Sequence, residues 1–147
     1  MKKILIREEV CFACHLCEVY CKLHHSKSKD LIKAFKKESP PPMACLVIEE
    51  RRPISFSIQC RQCSEPSCVY SCLTGALQRN PETGIITTDE TRCIGCWTCI
   101  LNCPFGVIKQ DINHHKAIKC DLCQGEETPA CVANCPNEAL VYADAAE

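Results

Sequence analysis

Sixteen of the seventeen cysteines in this chain fall into four groups that keep the same outer spacing. The groups are Cys11, Cys14, Cys17 and Cys21; Cys60, Cys63, Cys68 and Cys72; Cys93, Cys96, Cys99 and Cys103; and Cys120, Cys123, Cys131 and Cys135. Groups one and three read C-x2-C-x2-C-x3-C. Group two widens the middle gap to four residues (SEPS) and group four to seven (QGEETPA). Four copies of one local pattern are an internal repeat. The first pair and the last pair of each group therefore have fixed geometric tasks, while the middle gap can bulge outward. Only Cys45 is left over.

A cysteine share this high means either a disulfide scaffold in an oxidising compartment or a set of metal ligands in a reducing one. The start, MKKILIREEV, offers only Ile4, Leu5 and Ile6 as an apolar run before Arg7, Glu8 and Glu9. That run is too short for an export signal, no small-residue cleavage site follows, and there is no twin-arginine pair. No stretch approaches the roughly 18 apolar residues of a membrane span. The expectation is a cytoplasmic chain whose cysteines bind metal. The apolar residues outside the groups are scattered and mostly small, so a conventional core would be thin. Bound metal can hold such a chain together, because its binding energy is also folding energy.

Spacing separates iron-sulfur clusters from zinc. Structural zinc sites pair two short C-x2-C knuckles a dozen or more residues apart around one small tetrahedral ion. C-x2-C-x2-C-x3-C is instead the spacing of bacterial cubane ligation, in which the fourth cysteine serves the other cluster of a pair. Three thiolates within seven residues can wrap three corners of a cubane, and the fourth starts a helical turn and points away. Groups three and four also end in Cys-Pro, at Cys103-Pro104 and Cys135-Pro136. Sixteen thiolates, at four per cluster, predict four 4Fe-4S clusters. A zinc-stapled interaction module is the remaining alternative.

Between the groups the chain reads as short strands and turns. GALQRNPETGIITTDE predicts two strands about a turn at Asn80 to Gly84, and FGVIKQDINHHKAIK repeats the plan about a turn at Asp111 to His115. NEALVYA predicts a closing strand. In the longer connector, DLIKAFKKE has helical spacing, SPPP stops it, and ACLVIEE and ISFSIQ read as strands.

Net charge is only -1, which argues against a nucleic-acid or membrane-surface binder. Residues 22 to 52 nevertheless hold eight lysines and arginines against four acids, a local +4 that leaves -5 elsewhere. This basic stretch is either a docking face or an ordinary solvated surface. Cys45, in an apolar strand, reads as a buried small hydrophobe before a reactive thiol. His15 and Trp97 lie inside cysteine loops, where they can tune a cluster or cover it. The pairs His24-His25 and His114-His115 read as solvated turn residues. No phosphate loop, G-x-S-x-G or H-E-x-x-H is present, so no catalytic constellation is expected.

QCRQCSEPSCVYSC, RCIGCWTCILNCPFGVI, KCDLC and ACVANCPNEAL together resemble the four-cluster ferredoxin-like electron-transfer subunits of anaerobic redox complexes, over nearly the whole chain. Lys22 after Cys21 and Leu73 after Cys72 depart from the family, which commonly has proline there. The resemblance implies an α+β fold of two fused bacterial-ferredoxin modules related by a pseudo-twofold, with short antiparallel strands and short helices around the clusters. One module would comprise 1–21 and 104–147, the other 53–103, with 22–52 an inserted helix and strand. The implied ligand sets are Cys11, Cys14, Cys17 and Cys135; Cys60, Cys63, Cys68 and Cys103; Cys93, Cys96, Cys99 and Cys72; and Cys120, Cys123, Cys131 and Cys21. The chain would then be a non-catalytic relay in a hetero-oligomer. CEVYCKLHHSKSKDL is most similar to the subunit that accompanies nickel-iron CO dehydrogenase, which implies electrons passed from that enzyme to a hydrogenase or a flavin-dependent NAD(P) oxidoreductase. A formate dehydrogenase, a hydrogenase or a tungsten or molybdenum aldehyde oxidoreductase is the alternative partner.

Overall fold

In a computed structural model, which describes residues 1–144, four two-stranded antiparallel sheets and five short helices surround the cysteine groups. The last three residues of the implied first module, 145–147, lie outside the described residues. No helix is long and apolar enough to cross a membrane among the described residues.

The chain opens on β1 (Lys2–Ile6), a strand that its short apolar run does not announce. It pairs with the closing strand β8 (Leu140–Asp144), so the two ends of the described chain lie side by side. Ile4 and Leu140 point inward from this pair. A single 3-10 turn, Glu8–Val10, then leads into the first cysteine loop.

Helix α1 (Leu16–His24) starts on His15 in the left-handed conformation. It carries Glu18 in its first turn and Lys22 and His24 in its last, charges placed to suit the helix dipole. Cys17 and Cys21 are four residues apart, so they share one face, and both are buried. Asp30 caps α2 (Leu31–Lys36) by accepting a hydrogen bond from the Lys33 N–H at 2.9 Å. The chain then forms the hairpin of β2 (Leu46–Arg51) and β3 (Ile54–Gln59). Its inward face is apolar on β2, at Leu46 and Ile48, but wholly polar on β3, at Ser55, Ser57 and Gln59.

The second and third groups sit on one-turn helices, α3 (Ser67–Tyr70) and α4 (Thr98–Leu101). Two three-residue hairpins lie where the turn signals place them, β4 (Leu77–Arg79) with β5 (Ile86–Thr88) and β6 (Lys109–Asp111) with β7 (Lys116–Ile118). The fourth group sits on α5 (Ala130–Ala133).

Two cores result. The larger joins Ile4, Ala44, Leu46, Ile48, Leu122 and Leu140 to Cys17, Cys21, Cys45 and Cys131. The smaller is Leu77, Ile86, Ile108 and Ala117 with Cys99. Ile108 and Ala117, which flank and form the β6–β7 hairpin, pack in the smaller core, while Lys109 and Ile118 of the same hairpin reach the larger one.

The repeat is written in the backbone as well. The second residue between the first two cysteines of each group is left-handed in all four: Ala13, Gln62, Gly95 and Leu122. Three of these carry a side chain in a conformation that only glycine adopts without cost. At Gly95 the reason for glycine is a close approach, since a Cβ there would lie 2.5 Å from the His115 carbonyl oxygen. The third residue after the fourth cysteine is also left-handed in three groups, at Gly75, Gly106 and Glu138. Group one departs there because α1 runs on through His24.

Candidate iron-sulfur sites

Three cavities are each lined by four cysteines. Site A is lined by Cys11, Cys14, Cys17 and Cys135. Site C is lined by Cys60, Cys63, Cys68 and Cys103. Site D is lined by Cys72, Cys93, Cys96 and Cys99. The other four grouped cysteines also sense one another. Burial raises the Cys131 thiol most, and negative charge on Cys120, Cys21 and Cys123 raises it further. We call this group site B.

Cross-talk orders the sites in space. The charge of Cys17 in site A reaches Cys131 in site B, and that of Cys60 in site C reaches Cys120 in site B. Cys68 and Cys72 lie four residues apart across the single turn of α3, which joins sites C and D. Site B therefore neighbours sites A and C, and site C neighbours site D.

Burial dominates the acidity of the inner thiols. It pushes Cys17 and Cys120 up to about 12, and Cys99 and Cys123 up to about 11. A neutral buried thiol is inert, so loading these sites with a cation must release protons. Main-chain donors are already aimed at sulfur. The N–H of Ala139 donates to Cys135 Sγ at 3.2 Å, that of Leu77 to Cys72 Sγ at 3.5 Å, and that of Leu122 to Cys120 Sγ at 3.4 Å. For Cys21 the donor is the Cys45 N–H at 3.2 Å, brought back from 24 residues downstream by the insert.

The donor chemistry fits a sulfur-bridged iron cluster. Each of the three cavities is lined by four soft sulfur donors and no carboxylate, a set that selects iron-sulfur clusters or zinc. Two buried hydroxyls point to the former. Ser57 Oγ, on the wall of site A, and Thr88 Oγ1, on the wall of site D, have no hydrogen-bond partner among the described residues. A buried hydroxyl without a partner is costly. The sulfides of a cubane are acceptors that a lone zinc ion lacks.

The residues singled out beside the cysteines fall into place unevenly. His15 lines site A, and its ring donates to Glu50 Oε1 at 2.8 Å and meets Glu18 Oε2 at 3.1 Å. Glu50 first and Glu18 second raise its pKa. Glu18 also accepts the Ile48 N–H at 2.7 Å, so this trio ties α1 to β2. Trp97 is the left-handed cap of α4 and lines site D. Cys45 is buried, as expected of a small hydrophobe, but its main chain serves Cys21.

His25 is an exposed turn residue, as its sequence context predicts, yet its ring is engaged. Its Nδ1 donates to the Cys21 carbonyl at 2.8 Å, while Nε2 lies 3.5 Å from Asp121 Oδ1. The Asp121 carboxylate above all raises its pKa to about 10. Burial by itself pushes the Asp121 carboxyl up, yet its bond to His25 and the charge of that ring bring it down to about 2. Only the fold brings positions 25 and 121 together. His114 does remain a turn residue, donating to Asp111 Oδ2 at 2.6 Å.

Comparison with known proteins agrees with this chemistry. Residues 53–145 match the family profile described as a 4Fe-4S dicluster domain. An iron-sulfur protein of Rhodospirillum rubrum is 35% identical, over 91% of this chain and 77% of that protein. The electron transport protein HydN of Escherichia coli K12 is 33% identical, over 91% and 83%. The thiosulfate reductase electron transfer subunit PhsB of Salmonella typhi is 32% identical, over 92% and 71%. Among solved structures, the active-site complex BamBC of benzoyl coenzyme A reductase shares the fold at a TM-score of 0.52 and 21% identity, over 97% of this chain and 76% of the other. By the matched profile and by these relatives, the chain belongs to the 4Fe-4S dicluster domain family of iron-sulfur electron-transport proteins.

Proposed function

We propose that sites A to D each hold one 4Fe-4S cluster, and that the chain passes single electrons along them between a catalytic oxidoreductase subunit and a second redox protein. The observation that carries this reading is the three cavities each lined by four cysteines, with the remaining four grouped cysteines close enough to perturb one another. The proposed ligands are Cys11, Cys14, Cys17 and Cys135 in site A and Cys120, Cys123, Cys131 and Cys21 in site B. Site C takes Cys60, Cys63, Cys68 and Cys103, and site D takes Cys93, Cys96, Cys99 and Cys72. Two clusters suffice for the matched family description, and residues 53–145 contain all eight ligands of sites C and D. Groups one and four then furnish two further sites, and this pairing is the proposed pseudo-twofold.

When bound, such clusters supply one-electron transfer and no open iron for a substrate. The chain does the rest. Its thiolates hold each site at a fixed place, Trp97 and the apolar wall of site D limit water, and main-chain N–H groups offer hydrogen bonds to sulfur.

The partner we favour is CO dehydrogenase, with a hydrogenase or flavin-dependent NAD(P) oxidoreductase as acceptor, on the histidine-serine stretch after group one. Ser26 within it is buried and caps the end of α1 by donating to the Leu23 carbonyl at 2.7 Å. The names of the relatives, a thiosulfate reductase subunit among them, favour the broader class of oxidoreductase complexes. The insert offers a docking face: Leu31, Ile32 and Phe35 are exposed on α2 among Lys33, Lys36 and Lys37. The reducing conditions that sixteen thiols require fit a cytoplasmic setting.

Anaerobic purification followed by metal and sulfide analysis tests the core of the proposal. About sixteen irons and as many acid-labile sulfides per brown chain are expected. A colourless protein with about four zinc ions establishes the zinc-stapled module instead. Co-purification of the native complex tests the partner, and a large subunit without a nickel-iron site removes CO dehydrogenase.

A further inference from the structure

Lysine is rarely buried without a carboxylate, and Lys119 is buried. Its ammonium donates to the Ile86 carbonyl at 2.6 Å and to the Cys120 carbonyl at 2.7 Å. It pairs with no carboxylate among the described residues. Two neutral acceptors satisfy two of its three protons but leave its charge uncompensated, a costly state in a dry interior.

The position of Lys119 shows where the counter-charge belongs. Its side chain lines site C beside Cys60, Cys63, Cys68 and Cys103. Its neighbour Cys120 belongs to site B. The ammonium is also held in place: Gln62, 1% exposed, donates to the same Cys120 carbonyl at 2.8 Å and accepts the Ile86 N–H at 2.9 Å. Lysine and glutamine thus clamp the same two residues, and the charge cannot swing to solvent. Lys119 also borders a surface cleft with Glu90 and Asp121, the latter engaged by His25.

We propose that Lys119 is the fixed counter-cation of site C, placed at the seam between sites B and C, where it favours the reduced state of the cluster held there. The inference rests on the reading of site C as a cluster site. A cubane held by four thiolates is a net anion and gains one more negative charge on reduction, with no bond made or broken in the chain. A cation in its wall therefore stabilises the reduced form more than the oxidised one, and more strongly in a dry wall than in water. Lysine suits the task as a compact point charge. Lys119 is a positioning residue: it carries no electron and sets where the electron rests at the middle of the row.

The test is a redox titration monitored by electron paramagnetic resonance on the full chain purified anaerobically, with the site C signal assigned by its alteration in Cys103→Ser. Lys119→Met keeps the apolar stem and removes the charge. Lys119→Gln keeps a donor, and Lys119→Arg keeps the charge. The Met and Gln variants should weaken reduction of site C about tenfold, ~59 mV for a one-electron couple, while Arg restores most of it. A full iron complement with an unmoved site C potential in the Met variant overturns the inference and leaves the four-cluster reading intact. Absence of iron from the wild-type chain overturns the four-cluster reading itself. Should Met and Gln lose the site C cluster selectively while Arg retains it, the counter-charge role stands. Loss of that cluster from all three variants makes Lys119 a steric strut and sinks the proposal.

Discussion

Groups one and three share a cysteine spacing without deviation, yet their surroundings differ. In the half that carries sites A and B, α1 runs nine residues, the paired strands run five and six, and Cys17, Cys21, Cys123 and Cys131 are all buried. In the half that carries sites C and D, helices run four residues and strands three, and Cys99 alone of eight cysteines is buried, although each half has one exposed cysteine, Cys14 and Cys96. The ligand loop is thus set by the spacing, but its cover is set by the course of the chain beyond the fourth cysteine. After Cys72 and Cys103 a left-handed glycine turns the chain into a small hairpin at once. After Cys21 the helix continues, and the insert returns to lay Cys45, Leu46 and Ile48 over sites A and B.

If the cover matters, iron removal should strike the two halves unequally, and this is the largest effect expected. Cysteines form much of both cores, so stripping the iron under reducing conditions should abolish cooperative unfolding. Hydrogen exchange on the stripped chain should open residues 60–118 fully, with residual protection confined to the β2–β3 hairpin. An iron-free chain that melts as sharply as the loaded one would show that metal does not substitute for a conventional core. Next in size is a paired substitution. Cys21→Ser should lower iron to about twelve per chain by emptying site B, and should leave every site A thiolate in place. It should also cost more than ~3 kcal/mol in denaturant unfolding, because it strikes the larger core. Cys103→Ser should remove as much iron from site C at about half that cost. Equal costs would erase the distinction between the halves, and loss of the site A cluster alone in Cys21→Ser would refute the pairing.

Legibility in the sequence divides along the same line. Where a turn signal sits between two β-rich runs, as at Asn80 to Gly84 and Asp111 to His115, the hairpins are readable because the information is local. The insert is readable for the same reason, with Asp30 to start its helix and prolines 40 to 42 to stop it. Contacts between distant segments are not. Lys2 to Ile6 is too short and too basic to announce a strand, and its partner lies at the other end of the chain. The polar inner face of β3 even inverts the usual rule, since Ser55, Ser57 and Gln59 alternate with Ile54, Phe56 and Ile58, and the apolar set faces outward. That inversion is itself a signal: a strand that turns serines inward has something polarisable to meet. The Cys-Asp-Leu-Cys loop likewise gives no sign that Asp121 will meet His25.

Cys45 separates cover from ligation on a smaller scale. Its thiol lies near Cys21 and His25, and all three donor atoms fall within 4.8 Å of one another. Cys45→Ala keeps the main-chain donor to Cys21 Sγ and removes only a buried side chain. The expected cost is about 1 kcal/mol, with full iron retained. Loss of about four irons from this variant would instead make Cys45 a ligand of site B and displace Cys21 from the proposed set.

The smallest effect tests whether the two halves tune their clusters alike despite unequal cover. Each half contains one orphaned hydroxyl at a cavity wall, Ser57 at site A and Thr88 at site D. A neutral hydrogen bond to a cluster sulfur stabilises the more negative, reduced state, and a net bond of this kind is worth on the order of 1 kcal/mol. Ser57→Ala and Thr88→Val delete the donor with little change in shape, so each should make its own cluster harder to reduce and leave the other three unmoved. The loss should be larger for Ser57, which is 3% exposed on the inward face of β3, than for Thr88, a half-buried residue. Water reaches the half-buried Thr88 more readily than the buried Ser57 and can stand in for its hydroxyl. Equal shifts in both variants would mean that site A is as wet as site D, and that the insert covers the cysteines without drying the site.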